Sequence, residues 1–207
     1  MRSNTKLDLA SSNPGKLGEF RALAAMVAPD VPDGDEARVE IDLLPGFDSL
    51  PSFEEDAPTF AENAAGKALH YSRLGGALVI ADDSGLVVPA LGGAPGVHSA
   101  RYAGADATSA ERIAKLLGEL RGKEGAERAA YFVCALTLAE RGRALAIVTA
   151  RVDGEILESP RGSCGFGYDP VFYFPAMGKT FAELSPEEKN RISHRGKAFQ
   201  RLLASLS

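Results

Sequence analysis

The stretch that most constrains this chain is LVIADDSG, residues 78–85: an apolar run leading straight into two adjacent carboxylates, a hydroxyl and a glycine. Leu78, Val79 and Ile80 read as a buried strand, because a short unbroken run of β-branched and apolar residues suits a covered sheet. On this reading the strand ends at Asp82 and Asp83. The carboxyl end of a strand is where open α/β sheets place ligands. Two carboxylates side by side there suit a hard cation, or a water to be deprotonated. The plainer alternative is a turn or a helix cap, since Asp, Ser and Gly are also turn residues. The rest of the chain decides between them.

The 207 residues suit one large domain, 1–207, or two closely merged lobes, and 45% hydrophobic content supplies enough apolar material for a core. A net charge of −5 argues against a chain that wraps nucleic acid, whose footprint is usually basic. A small anionic substrate stays open, because a few local Lys or Arg residues are enough to hold one. Cys134 and Cys164 stand in unrelated contexts with no CxxC, so neither a zinc site nor a disulfide framework is indicated. The N-terminus has no apolar signal core, and no run approaches the ~18 apolar residues of a membrane span. The expectation is a cytoplasmic enzyme with no membrane partner.

Lys6–Ala10 reads as a strand followed by the polar turn SSNPGK and a helix over 15–26, with Asn13 as cap and Pro14 at the first position. Strand, polar turn and helix aim backbone N–H groups at phosphate, and Lys16 adds a positive charge. It is not a Walker A loop: Ala10 stands where the first Gly belongs, and Leu17 replaces the magnesium-holding Ser or Thr. Residues 28–36 form an acidic, Pro-rich loop, and 37–44 alternate as a strand. Thr59 and Glu62 make a capping box for a helix ending near Gly75-Gly76. Glu54 and Glu55 precede it, within reach of a metal shared with Asp82 or Asp83 or simply favoured by the helix N-terminus. Asn63 and Lys67 share one face of that helix.

Residues 91–104 carry four glycines, which permit close backbone approach. Thr108 and Glu111 open another helix by a capping box. Residues 128–138 and 144–152 read as an antiparallel hairpin, so the sheet is mixed, and Asp153-Gly154 reads as a further turn. Next, Phe166, Gly167, Tyr168 and Asp169 offer an aromatic ring to stack on a flat base and a carboxylate for its edge. Ser185 and Pro186 start a helix that leads to Lys189, Arg191, His194, Arg195 and Lys197; these charges read either as a solvated face or, because the run Ser193–Gly196 interrupts the periodicity, as a recognition corner. Phe199, Leu202, Leu203 and Leu206 form the apolar face of a closing helix.

Taken together, LASSNPGKLGEF (9–20), TFAENAAGKA (59–68), ADDSGLVVPALGGAPGVHSARYAG (81–104), GFGYDPVF (165–172) and GKTFAELSPEEKNRISHRGKA (178–198) resemble the inosine/xanthosine triphosphate pyrophosphatases. The match runs in order over nearly the whole chain. Ser11-Ser12 replace the usual Thr-Gly of the first loop, and residues 28–40 are somewhat longer than usual. The resemblance implies an elongated, two-lobed α/β fold around a twisted mixed sheet with flanking helices, and an active site in the cleft between the lobes. It implies a homodimer, a purine nucleoside triphosphate substrate and Mg²⁺. By motif, Ser11, Ser12, Asn13, Pro14, Gly15 and Lys16 bind the triphosphate. Asp83 is the general base and a magnesium ligand, Glu54 the second ligand, and Asp82 a support. Ser84 touches substrate; Phe166, Gly167, Tyr168 and Asp169 hold the base; Lys189, His194 and Arg195 reach phosphate or the base edge.

The residue types suit water attack at the α-phosphorus. A triphosphate needs cations to neutralise it, and no Ser-His-Asp or Cys-His set points to a covalent route. Two readings compete: a phosphatase with Asp82 or Asp83 as nucleophile, and a nucleotide sensor without turnover. Arg and His donors would match the carbonyl at purine position 6 and leave adenine's amino group unpaired.

Overall fold

The structure is a computed structural model describing residues 5–27, 39–75 and 78–205. The acidic segment 28–36, the second glycine of Gly75-Gly76, and Leu206 lie outside the described residues. β1 (Thr5–Leu9) leads into α1 (Pro14–Val27). Asn13 caps the helix, its Oδ1 accepting the N–H of Gly15 at 2.9 Å and of Lys16 at 3.3 Å. β2 (Val39–Leu43) lies parallel to β1, from Thr5 opposite Val39 to Leu9 opposite Leu43. α2 (Phe60–Gly75) opens at Thr59, whose Oγ1 accepts the Glu62 N–H at 3.2 Å and donates to the Glu62 carboxylate at 2.6 Å.

β3 (Leu78–Val87) corrects the sequence reading. The strand does not stop at the carboxylates; it carries Asp82, Asp83, Ser84 and Gly85 in its middle. Turn propensity loses because Leu86 and Val88, beyond the polar stretch, are fully buried and hold the backbone extended. In an extended strand successive side chains point to opposite faces. The two carboxylates are therefore neighbours in sequence with different surroundings.

α3 (Ser109–Glu119) begins at the capping box of Thr108 and Glu111. β4 (Ala129–Glu140) and β5 (Arg143–Ile156) are joined by Arg141-Gly142, whose φ values of 49° and 76° are those of a tight hairpin turn. Asp153-Gly154 is not a turn but lies inside β5. Gly154 is needed for proximity: a Cβ there would sit 2.4 Å from the Tyr173 carbonyl oxygen. β6 (Phe172–Phe174) pairs antiparallel with β5, and β7 (Lys179–Thr180) with β6. α4 (Pro186–Ile192) and α5 (His194–Ala204) are split at Ser193, whose ψ of 160° is extended. The expected interruption is one residue wide, and Gly196 lies within α5.

The strands form an open, mixed seven-stranded sheet in the order β2-β1-β3-β4-β5-β6-β7, flanked by helices. Two compact units are distinguishable. One comprises Met1–Asp83, Cys134–Ala150 and Arg195–Ser207. On one face of its sheet, Leu7, Leu9, Ile80 and Leu136 pack with Phe20 of α1 and Phe199 of α5. On the other, Val79, Ala81 and Ala139 pack with Ala68 and Tyr71 of α2. The other unit, Ser84–Val133 and Arg151–His194, has its own core of Leu86, Leu116, Phe132, Phe172 and Phe181.

Candidate active site

The first unit gathers charge on both faces of β3. Asp82 shares a face with Ile80, under α1 and α5. It is fully buried; its Oδ1 lies 3.0 Å from Lys16 Nζ, and its Oδ2 accepts from Arg195 Nε at 3.3 Å. Arg195 Nη1 donates in turn to Glu19 Oε2 at 2.6 Å. Asp83 shares a face with Ala81, under α2. Its Oδ2 accepts from Asn63 Nδ2 at 3.0 Å. One helical turn further along α2, the buried Lys67 ammonium pairs with the Glu55 carboxylate.

These surroundings split the two carboxylates. Burial alone would raise the pKa of Asp82, but Lys16, Arg195 and Lys67 outweigh it and hold the carboxyl well below the usual range. Burial also raises Asp83, and the negative charge of Glu55 adds to it; the Asn63 hydrogen bond, Lys16 and Lys67 oppose this only in part. Asp83 is pushed up to about 6. Burial works to discharge Lys67, but Asp82, Glu55 and Asp83 keep its pKa above the ordinary lysine value. Asp82 is thus a locked anion, and Asp83 a carboxylate that exchanges a proton near neutral pH.

Of the acidic pair before α2, Glu54 is exposed, whereas half-buried Glu55 faces Lys67 and acts on Asp83. Among the described residues no three His, Cys, Asp or Glu side chains are grouped to hold a metal. Two carboxylates are enough for magnesium, which takes one or two of them and completes its shell with water and substrate phosphates. The mutual repulsion of Asp83 and Glu55 shows the donor chemistry that a hard cation would relieve. In the first loop, buried Ser11 accepts the Asn13 N–H on its Oγ at 3.1 Å, Gly15 is half-buried, and Ser12 and Pro14 are exposed. The N–H groups of Gly15 and Lys16 are engaged by the Asn13 cap. The positive character of this turn therefore rests on Lys16 and the helix dipole.

The second unit holds the aromatic loop. Asp169 Oδ2 accepts both the Phe166 N–H at 2.8 Å and the buried Lys189 ammonium at 2.6 Å. Gly165 allows this closure, since a Cβ there would meet Asp169 Oδ2 at 2.1 Å. Lys189 Nζ stands 4.9 Å from the Phe166 ring centroid. Gly167, at φ 63°, lets the loop turn in a conformation other residues avoid. The Tyr168 side chain is buried and its hydroxyl donates to the Ser99 carbonyl at 3.0 Å. His194 is buried and stacks on Phe132, centroids 4.8 Å apart and planes 12° from parallel. Ser84 is half-buried. The sequence reading missed Glu19 and Ser99. Neither had a local signal: Glu19 meets Arg195 across 176 positions, and Ser99 meets Tyr168 across 69.

One unit carries buried strand carboxylates paired with cations, the other a lysine-backed aromatic loop, and the open mixed sheet with its flanking helices is an α/β fold. The model of the Ham1 family matches residues 7–205, and the chain belongs to that family. A dITP/XTP pyrophosphatase of Geobacillus kaustophilus is 55% identical over 194 residues, 94% of this chain and 90% of that protein. A second, from Desulfotalea psychrophila, is 48% identical over 95% of this chain and 82% of its own length. The structure of a HAM1 protein from Coxiella burnetii superposes with a TM-score of 0.82 at 43% identity, covering 98% of each chain. With this membership the chain is a hydrolase of acid anhydrides. Among the described residues no helix is long and apolar enough to cross a membrane.

Proposed function

We propose that this chain hydrolyses deaminated purine nucleoside triphosphates (ITP, dITP and XTP) to the monophosphate and pyrophosphate, with Asp83 as general base. The observation that carries the chemistry is the split between neighbours: Asp82 fixed as an anion by three cations, Asp83 raised to about 6. The substrate class is supported by the names of relatives such as the Geobacillus kaustophilus dITP/XTP pyrophosphatase.

Asp83 accepts a proton from a water. The water oxygen attacks the α-phosphorus, the bond to the bridging oxygen breaks, and its electron pair leaves on pyrophosphate. Asn63 holds the Asp83 carboxylate in one orientation while it does so. Lys16 and Lys67 offset the charge of the triphosphate, and Arg195, held by Glu19 and Asp82, keeps Asp82 in place between helix and strand. Asp83 and Glu55 would hold Mg²⁺, which when bound offsets phosphate charge and lowers the pKa of a coordinated water. Phe166 stacks on the base, and Lys189 and His194 supply donors that a 6-carbonyl satisfies and adenine's amino group does not. The homodimer implied by the family resemblance belongs to the same reading, and sedimentation tests it.

The deciding experiment is product analysis of ITP with magnesium. Equal amounts of IMP and pyrophosphate, formed only with a divalent cation, are expected. IDP and free phosphate as first products would instead support an aspartyl-phosphate route, and no turnover would support a sensor.

A further inference from the structure

The loop proposed to hold the base is not free-standing. Within the second unit it is tied, through one serine, to the strand that carries Ser84. Ser99 lies in a short 3₁₀ turn, Gly96–Arg101, and is 7% exposed. Its Oγ accepts the N–H of Leu86 at 2.9 Å and donates to the Gly96 carbonyl at 2.6 Å. Leu86 is two residues beyond Ser84 in β3. The Ser99 carbonyl accepts the Tyr168 hydroxyl at 3.0 Å, and Tyr168, 4% exposed, is at the centre of Phe166–Asp169. Neighbouring carbonyls of the same turn are also clamped by side chains: Ala100 by Arg112, and Tyr102 by Lys115 Nζ at 2.7 Å.

We propose that Ser99 is a positioning residue for base recognition, fixing the Phe166–Asp169 loop relative to β3 with Tyr168 as the strut. Surface loops are ordinarily the mobile part of a fold. A loop ordered before the ligand arrives spares the ligand that ordering cost. Tyr168 therefore acts on the base through the loop's backbone, its own ring being turned into the core beside Val171 and Phe172. The inference rests on the proposed nucleotide reading for the identity of the ring.

The test separates base from phosphate. IMP and inorganic tripolyphosphate are titrated calorimetrically into the wild type, Tyr168→Phe, Ser99→Ala and the double variant. Each single variant should weaken IMP by about 5–10-fold, the worth of one buried hydrogen bond. Tripolyphosphate, which has no base, should change by less than about twofold on the same scale. The double variant should bind IMP about as weakly as the worse single one, because both act through one strut. Equal loss of both ligands in Tyr168→Phe, unchanged IMP binding, or multiplicative losses in the double variant would overturn the proposal. So would failure of IMP to bind the wild type. If Ser99→Ala does not fold, Tyr168→Phe, which keeps the ring packing, decides alone. ITP turnover by the wild type is followed in parallel. Absence of pyrophosphate there sinks the nucleotide-hydrolysis reading, while the two binding arms still decide the role of Ser99.

Discussion

Replacing Asp83 by Asn should stabilise the fold while removing activity. Burial and the Glu55 charge raise the Asp83 carboxyl from 3.8 to about 6. That interval corresponds to about 3 kcal/mol of native-state free energy carried by the ionised carboxylate. The sign follows from linkage. The folded pKa lies above the unfolded one, so the native state takes up the proton first as pH falls. At pH 8 both states are ionised and the native state bears the full cost. Between about 6 and 3.8 that cost is progressively relieved, and below 3.8 both states are protonated and no further change occurs. Asn has the size of Asp and no charge, and its side-chain oxygen can still accept from Asn63.

The assay is thermal or urea unfolding of both proteins in EDTA, from pH 8 to pH 4. Asp83→Asn should be more stable at pH 8 by up to about 3 kcal/mol, a Tm rise of roughly 5–10 °C for a chain of this size. The advantage should shrink through pH 6 and vanish near pH 4. Turnover of ITP should drop by ~10²–10⁴, the usual cost of losing a general base. A variant no more stable than wild type at pH 8, or an advantage independent of pH, would refute the electrostatic reasoning. Retention of more than about a tenth of kcat would move the base elsewhere, with Asp82 first in line.

The same substitution one residue earlier should act in the opposite direction. Asp82→Asn leaves Lys16 and Arg195 facing a neutral group, and breaking a buried pair this way costs about 3–5 kcal/mol, read as a lower urea midpoint at pH 7. The depressed pKa of Asp82 makes its contribution present above pH 3.8 and lost as pH falls below it, so the two variants should converge in acid. Glu55→Gln should cut magnesium-dependent turnover by roughly 10–100-fold, and exposed Glu54→Gln by much less; a larger loss in Glu54→Gln would return the second ligand to that residue. Phe166→Ala should raise KM for ITP by about 5–100-fold, the worth of one base-aromatic stack; an unchanged KM would remove stacking from the argument.

Much of this molecule was legible because its signals are local. The capping residues Asn13, Thr59, Thr108 and Ser185 each bond within three residues, so the sequence window that contains them contains the cause. The mixed sheet was legible from the short turn at Arg141-Gly142. The two errors, a strand end at Asp82 and a turn at Asp153-Gly154, share a cause. In both places turn-forming residues are held extended by partners far away in sequence: the core of Leu116, Phe132 and Phe172 that buries Leu86 and Val88, and Tyr173 of β6 against Gly154. Propensity describes what a segment prefers alone, and a paired strand overrides it.

The strand end at Asp82 matters most for chemistry. If β3 had stopped at the carboxylates, Asp82 and Asp83 could have served as an interchangeable pair on one cation. Because the strand continues, alternation sends Asp82 toward Lys16 and Arg195, and Asp83 toward Asn63. Their surroundings then follow from their faces: Asp82 is held as an anion between α1 and α5, and the Asp83 carboxyl, raised to about 6, has the protonation range that the proposed base needs. The residues that create the difference, Glu19, Asn63, Lys67 and Arg195, lie far along the chain from what they act on: Asn63 is 20 positions from Asp83, Arg195 is 113 from Asp82, and Glu19 is 176 from Arg195. No window around ADDSG contains them, and only the pairing of β3 into the sheet under α1, α2 and α5 brings them to it.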